Sequence, residues 1–131
     1  MDIRKIGTSF AGGLIVLLAS FLSQRVVAAP PETAVKEINH LLDRVANSGC
    51  EFYRNGIWFK GNLGQSHLRD KYEYLVKKDM IGAATDFIDK AATASSMTGI
   101  AYRVRCKGQE DVLSNQWLTD ELKRYRATAQ Y

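Results

Sequence analysis

Residues 50–61 read CEFYRNGIWFKG and decide the fold of this chain. Asn55-Gly56 at the centre is the dipeptide most typical of a two-residue hairpin turn, and aromatic residues flank it on both sides. A two-residue turn sets the register of the strands, so that Arg54 pairs with Ile57. The pairs that follow outward are Tyr53 with Trp58, Phe52 with Phe59, and Glu51 with Lys60. The stretch therefore predicts an antiparallel β-hairpin.

Side chains alternate along a strand, so the two faces of this hairpin differ in chemistry. We predict that one face is buried in the core; it carries Cys50, Phe52, Phe59 and Ile57. The opposite face carries Tyr53, Trp58, Glu51 and Lys60. Tyr53 and Trp58 form either an exposed aromatic platform for recognition or the underside of a sheet that a helix covers, and the pattern leaves both open.

The segment before the hairpin, residues 33–48, has the spacing of an amphipathic helix. Its apolar face consists of Val35, Ile38, Leu41, Leu42 and Val45. The opposite face is predicted to be solvated and consists of Lys36, Glu37, His40, Asp43 and Arg44. Gly49 then ends the helix.

Two helices, a strand and a last helix are predicted after the hairpin. Asn62 and Gln65 form a capping pair for a helix that runs to about residue 78, and a third helix covers residues 83–95. Residues 100–106 alternate as a half-buried strand with Ile100, Tyr102, Val104 and Cys106 inward. Residues 107–113 are a polar loop, and Ser114 caps the last helix. The prediction is an α+β domain of order α-β-β-α-α-β-α with a three-stranded antiparallel sheet.

The chain contains two cysteines, Cys50 and Cys106. Each lies on the core-facing side of its own predicted strand, which favours a disulfide that joins the hairpin to the third strand. The alternative is two buried free thiols. Two cysteines and two histidines without C-x₂-C or H-x₃-H spacing match no zinc pattern, so no metal site is predicted.

The N-terminus has the features of a secretory signal over residues 1–28. Arg4 and Lys5 precede thirteen uncharged residues, 10–22, and Val26 to Ala28 offer small residues for cleavage before Ala29. Residues 29–131 are then a single mature domain in the periplasm, without a stable membrane anchor. The alternative is an uncleaved anchor, although residues 6–22 reach only the short limit for spanning a bilayer.

Composition and charge narrow the function classes. Hydrophobic residues make up 46% of the chain and charged residues 24%, which is typical of a globular protein. Cleavage would remove Arg4, Lys5, Arg25 and Asp2, leaving 15 Lys and Arg against 13 Asp and Glu, so the formal charge falls from +4 to +2. That charge is too small to favour nucleic acid or an anionic membrane surface as a partner.

The candidate site residues lie in the hairpin and in the helix that follows it. His67 has Asp70 and Lys71 at i+3 and i+4, on the same side of the helix, which is either a base with its orienting acid or a charged surface cluster. Arg54 lies on the core side of the hairpin, and we expect its guanidinium to reach the sheet edge or to pair with a carboxylate. No serine lies in a G-x-S-x-G or S-x-x-K motif.

We therefore predict a non-catalytic binding or interaction protein without a cofactor. Its partner would be an unknown protein or a small ligand of the cell envelope. The predicted binding surface is either the aromatic pair Tyr53 and Trp58 or the basic group of Arg54, His67 and Lys71. The alternative function is a small hydrolase-like enzyme that uses His67 as its base, and a contact between His67 and Ser95 or Ser96 would favour it.

Three motifs carry a resemblance to a known family: S-G-C-x-F-x-R-N-G at 48–56, H-L-x-x-K-Y at 67–72 and S-S-x-x-G at 95–99. Over about residues 34–125 the chain resembles the YfeK-like family of small exported bacterial proteins, a domain of unknown function. The resemblance implies an exported, disulfide-bonded domain and supplies no activity. The chain departs from the family pattern at Gly64 and Gly82, where helix-forming residues are expected.

Overall fold

The computed structural model of this protein describes Gly7 and residues 11–16, 19–20, 23–24 and 28–129. Much of the predicted signal segment, including Val26 and Val27 of the proposed cleavage site, lies outside these residues. None of the helices in the described ranges combines the length and hydrophobicity that a membrane-spanning helix requires.

The domain is an α+β fold, as predicted, with four helices and a sheet of order β2-β1-β3-β4 in which every pairing is antiparallel. The elements are α1 (Glu32–Asn47), β1 (Glu51–Arg54), β2 (Ile57–Lys60), α2 (Gly61–Lys77), α3 (Ala84–Ala91), β3 (Arg103–Arg105), β4 (Val112–Leu113) and α4 (Ser114–Thr128). The predicted count of three strands and the predicted order are wrong, because a fourth strand lies inside the expected polar loop. That strand consists of two exposed residues, Val112 and Leu113. It is too short to show an alternation of apolar and polar residues in the sequence.

The hairpin has the predicted register in all four pairs. Asn55 (φ 48°) and Gly56 (φ 89°) both adopt positive φ, as a two-residue hairpin turn requires. Phe52 is buried, whereas Ile57 is 57% exposed, so its predicted place in the core is wrong. Ile57 has the expected orientation, but it lies beside the turn on the edge strand of the sheet.

β1 lies between β2 and β3, and the cysteines flank this central pairing. Phe52 pairs with Val104, and Cys50 and Cys106 lie just beyond the paired residues, with their sulfur atoms at bonding distance. β3 is shorter than the predicted strand of residues 100–106, and Ile100 is 46% exposed rather than buried. The chain makes a turn there, in which the backbone N–H of Ser95 donates to the Ile100 carbonyl. This turn also ends α3 earlier than residue 95.

Glycine allows α2 to pack closely against its neighbours. The helix begins at Gly61, before the predicted capping pair, and a Cβ on Gly61 would overlap the Val45 carbonyl oxygen of α1. A Cβ on Gly64 would lie 3.3 Å from the Phe52 ring. Gly82 lies outside α3, and its backbone N–H donates to the Asp86 carboxylate.

The polar face of α1 is solvated only in part. Lys36, Asp43 and Arg44 are exposed as predicted, whereas Glu37 and His40 pack against α4. Glu37 is 6% exposed and pairs with Arg126. The His40 ring stacks on Tyr125 at 4.1 Å, and its Nε2 lies 2.8 Å from the buried carboxylate of Glu121. The periodicity of the sequence identifies the apolar face of a helix. It does not reveal that a second helix, distant in the sequence, packs against part of the polar face.

Candidate functional site

A cleft of about 280 Å³ lies between the core face of the hairpin and the first half of α2. Its apolar walls are Phe52 and Phe59 from the hairpin and Leu63 and Leu68 from α2. Polar side chains line the rest; they include Arg54, Ser66, His67, Asp70 and Tyr102. The cleft therefore has an apolar part and a part rich in hydrogen-bonding groups, as small-molecule sites do.

Arg54 is the last residue of β1, on the same sheet face as Phe52, so its side chain points toward α2. Its Nε atom is buried and has no hydrogen-bond partner among the described residues. Arg54 is also in none of the ion pairs found in those residues, so of its two expected roles the pairing with a carboxylate is not found there. The cleft thus contains a guanidinium whose inner donor is unsatisfied.

His67 and Lys71 lie one helical turn apart on α2, and both reach the hydroxyl of Tyr102. Nε2 of His67 lies 3.0 Å from the Tyr102 oxygen, and Nζ of Lys71 lies 3.2 Å from it. Nζ of Lys71 also donates to the Ala94 carbonyl at 3.0 Å. Because an ammonium group can only donate, the Tyr102 oxygen accepts from Lys71 and its own proton is available to a neutral His67.

The charges around His67 favour its neutral form. Burial lowers the pKa of His67, and the positive charges of Arg54 and Lys71 lower it further, while Asp70 opposes them. Burial and Arg54 also lower the pKa of Lys71. Burial raises the pKa of Tyr102, against the effect of Arg54, so this hydroxyl stays protonated at neutral pH. The arrangement offers a neutral His–Tyr pair beside a permanent cation.

The S-S-x-x-G turn attaches the hairpin tip to the segment that carries Tyr102. Nδ2 of Asn55 donates to Oγ of Ser95 at 3.2 Å, and Oγ1 of Thr98 donates to Oδ1 of Asn55 at 2.7 Å. The backbone N–H of Gly99 donates to the Ser95 carbonyl at 2.9 Å. Asn55 thus has two roles. Its backbone adopts the positive φ of the hairpin turn, and its side chain binds the segment that carries Tyr102, which lies opposite α2 in the cleft.

The hydrogen bond of His67 goes to Tyr102 rather than to either serine of this turn. Oγ of Ser95 accepts from Asn55, and Ser96 lines a neighbouring cleft together with His67, Asp70 and Lys71. Asp70 therefore lies in the same region as His67, but it makes no hydrogen bond to it in the described part of the chain.

Tyr53 and Trp58 lie on the opposite face of the sheet. Their ring centroids are 5.3 Å apart, and the Arg105 guanidinium lies 4.0 Å from the centroid of the Trp58 ring. Nη2 of Arg105 donates to Glu51 at 3.2 Å. Both aromatic side chains are half-buried. The two predicted surfaces are therefore distinct. Arg54 and His67 line the cleft, and Lys71 lines the adjoining cleft and reaches the Tyr102 hydroxyl. Tyr53 contributes to the cleft lining as well, but its ring lies with Trp58 on the other face of the sheet.

Sequence reasoning placed Tyr102 in the core and missed its part in the site. Its ring is buried, at 6% exposure, and only the hydroxyl reaches the cleft. The sequence could have indicated this role, because the hydroxyl of a buried tyrosine usually has a hydrogen-bond partner. His67 and Lys71, on the same side of α2 as the inward-facing Leu68, were the available partners.

Fold and cleft define a small α+β domain with one cystine and a basic cleft between a hairpin and a helix. Residues 32–126 match the family of unknown function DUF5329, and the chain belongs to this family. The match agrees with the predicted domain of unknown function and leaves the YfeK-like name and export as predictions. No curated protein and no solved structure matches the chain.

Proposed function

We propose that this chain is a non-catalytic binding protein, exported to the periplasm, that holds a small anionic ligand in the cleft. The observation that carries the proposal is the buried, unpartnered Nε of Arg54. An unsatisfied buried donor costs about 1–3 kcal/mol, and more when the group is charged. The same guanidinium lines the cleft, and a ligand that supplies an anionic acceptor would give it a partner there.

The groups around Arg54 support an anionic ligand. Arg54, Lys71 and Lys90 contribute positive charge, and Asp70 is the one carboxylate among the described residues that line the two adjoining clefts. The His67 ring and the Tyr102 hydroxyl add groups that can hydrogen-bond to an oxyanion. The volume of about 280 Å³ lies just below the usual range of ligand pockets, which favours a small molecule over a protein segment.

Binding is favoured over the hydrolase alternative by the identity of the hydroxyl next to His67. A base acts on a nucleophile within hydrogen-bond reach. Here that hydroxyl belongs to Tyr102, which already accepts from Lys71 and whose pKa is raised by burial. A phenol that stays protonated is a poor nucleophile, so the His67–Tyr102 pair is better suited to orienting a ligand.

Export is supported by the N-terminal segment and by the cysteine pair. The segment has the charge, length and small-residue pattern of a cleavable signal. Disulfides persist in oxidising compartments and are rare in the cytosol. Both points agree with a periplasmic protein whose ligand is present in the cell envelope.

The test is native mass spectrometry of the full chain expressed in a bacterium and isolated from the periplasmic fraction without denaturation. We expect a chain that begins at Ala29 and carries a small molecule that denaturation releases. Arg54→Gln should lose this adduct, whereas Arg103→Gln, which changes an arginine on the opposite sheet face, should retain it. An adduct that persists in Arg54→Gln would contradict the binding proposal, and a chain that retains residues 1–28 in the membrane fraction would contradict export.

A further inference from the structure

The cleft has polar groups at one end and apolar side chains at the other, and this distribution restricts the class of ligand. Phe52 and Leu68 are buried, at 7% and 5% exposure, and form the apolar floor. Leu63, on the rim, is 54% exposed. A ligand with an apolar part would cover surface that water now contacts.

The charge at the polar end suits a single negative charge. Arg54 lines this end, and Lys71 lines the adjoining cleft and reaches this one through the Tyr102 hydroxyl. Asp70 offsets one of these two cations, His67 stays neutral, and Lys90 of the adjoining cleft is paired with Asp86. One additional negative charge makes the sum of these side-chain charges zero, whereas a dianion would leave one excess negative charge. The planar guanidinium of Arg54 matches a carboxylate in shape as well as in charge.

We infer that the ligand is a monocarboxylate with a short apolar tail, and this inference rests on the proposed function. Its carboxylate accepts hydrogen bonds from Arg54, and its tail lies between Phe59 and Leu63. The cleft volume equals the share of about nine water molecules, which leaves room for a carboxylate and a tail of about five carbon atoms. Hexanoate is the probe that fits these limits.

The experiment is isothermal titration calorimetry of the exported, dialysed protein at pH 7.5 with four probes. Acetate has the charge without the tail, 1-hexanol has the tail without the charge, and hexyl phosphate has the tail with a dianionic group. We expect hexanoate to bind about tenfold or more tightly than each of the three. Equal binding by acetate or 1-hexanol, or tighter binding by hexyl phosphate, would overturn the inference, as would absence of hexanoate binding.

Variants connect binding to the two ends of the cleft. Arg54→Gln should weaken hexanoate binding about tenfold or more, and Leu63→Ser should weaken hexanoate binding without changing that of acetate. Arg103→Gln is the control and should bind as the wild type does. If Arg54→Gln fails to fold, Leu63→Ser alone decides, because unchanged hexanoate affinity in it contradicts the assigned tail position.

The two proposals can fail separately. A periplasmic adduct that depends on Arg54, together with no preference for hexanoate, contradicts the monocarboxylate and leaves the anion-binding function in place. An adduct that does not depend on Arg54 contradicts the proposed function itself, whatever the calorimetry gives.

Discussion

The hydroxyl oxygen of Tyr102 lies 3.0 Å from Nε2 of His67, across 35 positions of sequence. This contact joins α2 to the segment that leads into β3. The same oxygen accepts a hydrogen bond from Lys71. One phenol oxygen therefore connects the walls of the cleft, and the ligand site and the local stability depend on the same atom.

Tyr102→Phe should destabilise the fold by about 1–2 kcal/mol. The change keeps the buried ring but removes the hydroxyl that accepts from Lys71 and contacts His67. Two partly buried polar side chains then lose a hydrogen-bond partner. The measurement is urea unfolding at pH 7.5. Tyr72→Phe is the matched control, because the Tyr72 ring is equally buried and its hydroxyl makes no hydrogen bond within the described residues. Equal losses in both variants would contradict the role given to the Tyr102 oxygen.

Arg54→Leu should leave the ligand-free protein as stable as the wild type or more stable. The leucine removes an unsatisfied buried donor and a positive charge that lowers the pKa values of His67 and Lys71. Thermal unfolding without ligand measures this effect, and hexanoate should no longer raise the melting temperature of the variant. A loss of about 2 kcal/mol or more would mean that Arg54 serves the fold rather than a ligand.

The parts of the fold that could be predicted from sequence are those set by short-range chemistry. Asn55-Gly56 requires a two-residue turn, and the turn determines every pair of the hairpin. The facing cysteines follow, because alternation places both on the buried side of their strands. The fourth strand and the buried carboxylates Glu37 and Glu121 could not be predicted, since they depend on where α4 and the chain before it pack.

In the cleft as well, the contacts set by short-range chemistry could be predicted, and those that depend on the packing of distant segments could not. The i, i+4 spacing placed His67 and Lys71 together, and strand alternation placed Arg54 on their side of the sheet. The packing of Tyr102 between these groups depends on the antiparallel pairing of β1 with β3, which brings distant residues together. Strand alternation also separated Tyr53 and Trp58 from Arg54. It left open which of the two surfaces binds, because the cleft on the core side of the hairpin depends on how α2 packs there.

The disulfide should supply a large part of the stability of this small domain. Replacing both cysteines by alanine releases a crosslink between positions 56 residues apart, and the chain-entropy model gives about 4 kcal/mol for a loop of this length. Guanidinium unfolding of the double variant and of the oxidised wild type measures the difference. Non-reducing peptide mapping should recover Cys50 and Cys106 in one linked peptide. Two free thiols in the exported protein would contradict the crosslink.

Trp58→Ser should lose about 2 kcal/mol, since the ring is half-buried beneath Arg105 and complete burial would give about 3 kcal/mol or more. Ile57→Ser, on the same strand and 57% exposed, is the control and should change stability by at most about 0.5 kcal/mol. Both are measured by urea unfolding. Hexanoate affinity should be unchanged in Trp58→Ser, because Trp58 lies on the sheet face opposite the cleft. Weaker hexanoate binding by Trp58→Ser would mean that Trp58 is part of the ligand site.

The stability of the fold should decrease as the pH falls below about 6.5, and His67 should be the cause. Burial, Arg54 and Lys71 together lower its pKa below the ordinary value of 6.5, against the opposing charge of Asp70. The unfolded chain therefore takes up a proton at a higher pH than the folded chain, and the free energy of unfolding rises with pH across that window. Above it both states are neutral, so the effect disappears.

His67→Gln tests this pH dependence, because glutamine keeps a hydrogen-bonding group and does not titrate. We expect the wild type to lose melting temperature between pH 7.5 and 5.5, and the variant to lose markedly less. The carboxylates with lowered pKa values, Glu32, Asp86 and Glu121, act below their ordinary values of 4.5, 3.8 and 4.5 and therefore outside this range. Melting curves at five pH values for both proteins decide the matter. Parallel curves would mean that His67 is not buried among positive charges as the cleft geometry requires.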